Sequence, residues 1–107
     1  MDFDLGKMQQ MLSQARDMQA QLDERLGAIT VEADSGGGAV AVRMSGKKEV
    51  LKLTIAPAAA AAAAAADDLT MLEDLIVAAV NAASRKADDA HKAATTSMLG
   101  GMTLPGM

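Results

Sequence analysis

The sequence holds no cysteine, tryptophan or tyrosine, and Phe3 is its one aromatic residue. Without cysteine there are no disulfides, no thiol nucleophile and no cysteine-ligated zinc. Without aromatics the chain lacks the side chains that bury the most area each, and base stacking on single-stranded nucleic acid has no platform. Histidine occurs once, at His91, in a polar helical stretch. A Ser-His-Asp triad there would lack the buried orienting partner it needs, and Asp88 with His91 makes two metal ligands where a site needs more. Phosphate-cradling glycine loops are missing too. Gly46-Lys47 is followed by Lys48 rather than Ser or Thr, Ala41 stands where the first glycine of a P-loop belongs, and no G-x-G-x-x-G occurs. The longest apolar stretch, Leu53 to Ala66, falls short of the about 20 residues a membrane span requires. The opening Met1-Asp2-Phe3-Asp4 does not read as a secretory signal. No enzymatic activity, cofactor, metal, membrane or small-molecule substrate is expected.

What is present is a chain of 107 residues, suited to one domain. Half of it is apolar, but 24 of those residues are alanine. A short chain with small side chains builds a modest core, so pairing with a second copy is the expected source of further stability. The formal charge of −4 argues against a uniformly cationic nucleic-acid binder. It leaves room for a local basic patch.

Leu5, Met8, Leu12, Ala15, Leu22, Leu26 and Ile29 follow steps of three and four, interrupted only at Gln19, with Met11 and Met18 widening the stripe. This spacing predicts a long amphipathic helix stopping near Gly27, its narrow stripe suited to a partner helix. The period then changes to two. Val31 and Ala33, then Val40, Val42 and Met44, then Leu51, Leu53 and Ile55 alternate with polar residues. Ser35-Gly36-Gly37-Gly38 and Gly46-Lys47 mark turns, the latter expected as a two-residue type II′ turn with Val42 opposite Leu51. Three antiparallel strands in a meander result. Pro57 ends the third.

Ala58 to Ala66 is an unbroken run of nine alanines. Alanine is the best helix former, so a short helical turn is an expectation here; two further readings stand open: a low-complexity linker, or alanine standing in for unassigned side chains. A second long helix follows Asp67-Asp68, either of which can cap it, with a capping-box pattern at Thr70 and Glu73. Leu69, Leu72, Ile76, Ala79, Ala83, Ala90 and Ala93 form its stripe, and its leucine-rich first half is expected to be core. The expected fold is α+β: a long N-terminal helix, a three-stranded antiparallel sheet and a long C-terminal helix. Residues 1–97 form one domain and 98–107 a flexible tail.

Charge is uneven along the chain. Between Gly36 and Ile55 stand Arg43, Lys47, Lys48 and Lys52 against Glu49 alone. The strand register puts Arg43, Lys48 and Lys52 on one sheet face with Lys47 at the turn. Such a patch can neutralise phosphates, and it also reads as a solvated face that guards a sheet edge with lysine.

These residues resemble the YbaB/EbfC family of nucleoid-associated proteins. The resemblance is carried by Ser35-Gly36-Gly37-Gly38-Ala39-Val40-Ala41-Val42, Met44-Ser45-Gly46, Ile55-Ala56-Pro57, the helix from Met71 to Ala83, and Gly101-Met102-Thr103-Leu104-Pro105-Gly106. It covers nearly the whole chain in order. It departs from the family at Ala56, where aspartate is usual, and at the alanine run, where the family has a charged, variable stretch. The resemblance implies a homodimer whose paired long helices project like tweezers, binding duplex DNA in the bacterial nucleoid, with no catalytic residues and no cofactor. On that reading the contact candidates are Lys7, Arg16, Arg25, Arg85, Lys86 and Lys92 on the helices and Arg43, Lys47, Lys48 and Lys52 on the sheet. Met8, Met11, Leu12, Met18, Leu22, Ala79 and Ala83 are the candidates for the dimer interface. The alternative is a protein-interaction adaptor that meets its partner through the amphipathic helices.

Overall fold

The computed structural model describes residues 4–99. Of the expected tail, Met98 and Leu99 belong to the last helix, and residues 100–107 lie outside the described residues. The chain runs α1 (Leu5–Ala28), β1 (Thr30–Ser35), β2 (Val40–Ser45), β3 (Val50–Ile55), α2 (Pro57–Ala66) and α3 (Thr70–Leu99). The strands form one antiparallel sheet in the order β1-β2-β3. The expected α+β architecture is therefore present, and the alanine run forms a full helix of 10 residues rather than a single turn.

Asp4 starts α1 by accepting the main-chain N–H groups of Gly6 and Lys7, which have no partner within a helix's first turn. The helix passes through Gly27 and ends where Ile29 turns extended. Alanine's high helix propensity and Pro57 at the first turn make the alanine run a helix rather than a coil. It closes on Asp67 in the left-handed conformation. At the start of α3 the Asp68 carboxylate accepts from Thr70 N at 2.9 Å. The Thr70 main-chain N–H, then its hydroxyl, hold the Asp68 carboxyl below its ordinary pKa. Thr70 is thus the first helical residue and not the cap. The N–H of Glu73 goes to Leu69 O as an ordinary helical bond, so the expected capping box does not form.

The β2–β3 turn differs from expectation. Val42 pairs with Leu53, not Leu51, and Val40 with Ile55. Ser45 and Glu49 bracket a three-residue turn: Lys48 N donates to Ser45 O, and Lys48 takes a positive φ of 68°. That is a type I turn followed by a left-handed residue, and the ladder then slips by one residue between Arg43 and Met44. Together the two changes shift the pairing by two residues. The inward set of Val40, Val42, Leu53 and Ile55 keeps its face, because side chains alternate with period two. Gly46 does not have a positive φ. Its lack of a side chain serves close approach instead: a Cβ there would lie 2.7 Å from Leu26 O. Gly46 N donates to both Leu26 O and Ile29 O, each at 3.0 Å, which ties the turn to the end of α1. Buried Ser45 Oγ accepts from Lys47 N and Glu49 N and closes the turn from within.

α3 lies across the inner face of β1 and β2. The core joins Ala33, Val40, Val42 and Met44 of the sheet to Ala79, Ala83 and Ala87 of the helix. Ala79 and Ala83, expected at a dimer interface, are wholly enclosed within the single chain, so they are core residues with no surface to offer a second copy. The leucine-rich half of α3 is only partly covered, while the alanines hold the deepest positions, since a small side chain lets the helix axis approach the strands. β3 lies beyond the cover of α3, and Val50, Leu51 and Leu53 are exposed. The second half of α3 continues past the sheet alongside α1 as a two-helix arm, with Ala15, Met18, Gln19 and Leu22 facing Thr95, Met98 and Leu99 across a shallow groove. The N-terminal part of α1 extends past the end of α3. The molecule is accordingly elongated, 75 × 29 × 21 Å with a radius of gyration of 20.9 Å, against about 13 Å for a compact chain of this length.

Candidate nucleic-acid interface

Alternation along the strands sends Glu32, Asp34, Ala41, Arg43, Lys52 and Thr54 to the sheet face turned away from α3. The register sets Glu32 opposite Arg43 and Arg43 opposite Lys52. A charged row thus crosses all three strands. Arg43 Nη2 lies 2.9 Å from Glu32 Oε1, and Arg43 Nε donates to the same oxygen at 3.0 Å. From α3, Lys86 Nζ donates to the main-chain oxygen of Glu32 at 2.6 Å. Arg43 from the outer face and Lys86 from the α3 side therefore converge on one residue of the edge strand β1, and Lys52 stands opposite Arg43 on the outer face.

A second group forms where the β2–β3 turn meets the helices. Asp23 and Leu26 of α1, Gly46, Lys47 and Lys48 of the turn, and Asp88 and His91 of α3 line an open cleft of about 350 Å³. The structure moves Lys48 off the sheet face, where the shorter turn had placed it, because its left-handed backbone ends the turn. Its Nζ reaches α3, 2.8 Å from Asp88 Oδ1. Among the described residues these two are the only ion pairs. Both are about half exposed, and both hold a basic residue from the candidate set.

All ten basic residues are exposed. The structure brings Arg43 and Lys52 together on the outer sheet face, sets Lys86 against the β1 edge from the α3 side, and holds Lys47 and Lys48 together at the turn. Lys7 and Arg16 stand apart, along the arm, about 14 Å of helix from each other. Arg25, in the last turn of α1, and Arg85 and Lys92 of α3 share helices with these groups without joining either by a side-chain bond. Sequence reasoning missed Glu32 and Asp88. Glu32 could have been found, since β1 alternation places it on the Arg43 face. Asp88 carried no local signal, because its partner lies 40 residues earlier in the chain. Among the described residues, no group of three or more His, Cys, Asp or Glu side chains is placed to hold a metal ion. No described helix is long and apolar enough to cross a membrane.

Comparison with known proteins adds to this geometry. The YbaB/EbfC DNA-binding family matches residues 5–102. A "Nucleoid-associated protein" of Acidobacterium capsulatum is 58% identical over 92% of this chain and 93% of its own. Another, of Anaeromyxobacter dehalogenans, is 44% identical over 94% of this chain and 96% of its own. The crystal structure of an uncharacterised protein from Helicobacter pylori superposes with a TM-score of 0.72 at 21% identity, covering 92% of this chain and 99% of that one. That last likeness shows the fold.

Proposed function

The chain belongs to the YbaB/EbfC DNA-binding family, and we propose from that membership that it is a nucleoid-associated protein, without enzymatic activity, that binds duplex DNA as a homodimer mainly through phosphate contacts. The observation that carries the reading is the family match across residues 5–102. The names of relatives covering almost the whole chain support it, and they also support a place in the nucleoid, within the bacterial cytoplasm. The charge distribution supports phosphate contacts. Exposed lysines and arginines stand on the sheet face, at the turn and along the arm, while an aromatic stacking platform is lacking. Any sequence preference then comes from duplex shape and deformability. Lys7, Arg16, Arg25, Arg85, Lys86 and Lys92 serve if the arms grip the duplex, and Arg43, Lys47, Lys48 and Lys52 if the body does.

The homodimer is supported by apolar surface that one chain leaves bare. Val50, Leu51 and Leu53 on β3 and Met8, Met11, Leu12 and Met18 on α1 are exposed, and Leu22 is half-buried. Pairing through such surface would set two arms on a shared body in the manner of tweezers. The test is a mobility-shift series with duplex DNA across ionic strength. A shift at low salt that weakens steeply as salt rises is expected, and substituting Lys47 and Lys52 by alanine lowers the salt slope by roughly one unit per lost contact. No shift even at low salt overturns the reading. The exposed methionines of α1 favour one second reading, an adaptor that docks a protein on its arm. A specific protein retained after nuclease treatment would favour that reading.

A further inference from the structure

We infer that Asp88 and Glu32 are built-in competitors of the DNA phosphates, occupying Lys48 and Arg43 until a phosphate replaces them. The inference rests on the duplex-binding reading above and concerns the regulation of that same surface. The two ion pairs share a design. Each joins a basic residue of the β2–β3 hairpin to an acid on a neighbouring element, Lys48 to Asp88 on α3 and Arg43 to Glu32 on β1. Each is about half exposed, so a phosphate can approach without any rearrangement of the fold. The backbone holds the bases in place, Lys48 by its left-handed turn position and Arg43 by the sheet register. Arg43 directs two of its nitrogens at a single carboxylate oxygen, an arrangement that the two oxygens of a phosphate can better by binding side by side.

Exposed pairs of this kind are weak and are screened by salt, so exchange of carboxylate for phosphate is easy. It also gains little. When a phosphate takes Lys48 it sheds a cation, but the released Asp88 carboxylate takes one up. The masked bases therefore add little to the salt dependence of binding. Lys47 and Lys52, which make no ion pair among the described residues, contribute in full. The hairpin thus carries two open cations and two that are held in check, which lets an acidic chain present a basic patch of limited strength.

The experiment is fluorescence anisotropy of a labelled duplex DNA across ionic strength, with circular dichroism to verify that each variant is folded. The proteins are the wild type, Asp88→Asn, Lys48→Gln, the double variant, and Asp89→Asn as a control that removes the same charge one position along. Asp88→Asn is expected to bind roughly two- to fivefold tighter at low salt, with a salt slope steeper by about one unit. Lys48→Gln is expected to change the slope little in the wild type and to lower it by about one unit in the Asp88→Asn background. Asp89→Asn leaves the slope unchanged. Glu32→Gln and Arg43→Gln repeat the cycle at the second pair, which is judged on its own result. Equal behaviour of Asp88→Asn and Asp89→Asn, or an equal effect of Lys48→Gln in both backgrounds, overturns the inference while duplex binding stands. Absence of duplex binding by the wild type overturns the parent reading and the inference with it.

Discussion

Along the middle of α3, Ala79, Ala83 and Ala87 expose none of their surface, whereas the much larger Met11 and Leu12 of α1 remain 68% and 58% exposed. The two long helices invert the usual relation between side-chain size and burial. The reason lies in what each faces. α3 lies flat on β1 and β2, where only a small side chain permits that approach, and close packing leaves no room for more. The first half of α1 extends past the end of α3 and has no described neighbour to cover it. Burial here is decided by the distance to a partner, and the exposed stripe of α1 marks where the single chain stops supplying one.

Three experiments press on that contrast. The largest effect is expected at the buried alanines. Ala83→Leu forces added carbon into a filled contact and should cost about 1–3 kcal/mol, read as a lower urea midpoint at unchanged m-value. Wild-type stability in that variant would break the close-packing account. The arm comes next. Met11→Gln with Leu12→Gln touches side chains exposed in the single chain, so the loss within one chain should stay within about 0.5 kcal/mol. If the stripe is the proposed dimer surface, light scattering against concentration will show the pair dissociating at higher concentration than the wild type. An unchanged mass profile would move the proposed interface from α1 to β3. The smallest effect is at the start of α3. Asp68 has its pKa lowered by the Thr70 bonds, so its contribution is present above the unfolded carboxylate value and fades as pH falls through the folded one. Asp68→Ala should melt below the wild type near neutral pH, and the gap should close as the solution is acidified. A gap independent of pH would remove the capping carboxylate from the account.

Much of this was legible in the residues. The change of hydrophobic period from 3.6 to two located the helices and strands, and alternation alone put Arg43 and Lys52 on one face. That face survived the wrong register, because a shift of two preserves parity. The turn itself was not legible. Gly46 looks like a residue chosen for an unusual backbone, yet it is bare because Leu26 O lies against it. That is a tertiary fact, and no local pattern reports it. Ala79 and Ala83 misled for the same reason: a small-residue stripe suits another helix as well as a sheet. Of the candidate interface, all ten basic residues are where solvent reaches them, but the restraint on Lys48 and Arg43 needed the fold, since Asp88 meets Lys48 only once α3 crosses the sheet.

The bond pair from Gly46 to Leu26 and Ile29 has a mechanical consequence. The turn that carries Lys47 and Lys48 is bonded to the root of α1, and α1 runs about 36 Å from that joint. A tilt of about 5° at that joint sweeps the far end of the helix through about 3 Å, on the same rise per residue. A displacement of the two lysines that tilts this joint would therefore be magnified at Leu5 and Met8, against the contacts that Ala15 to Leu22 make with α3.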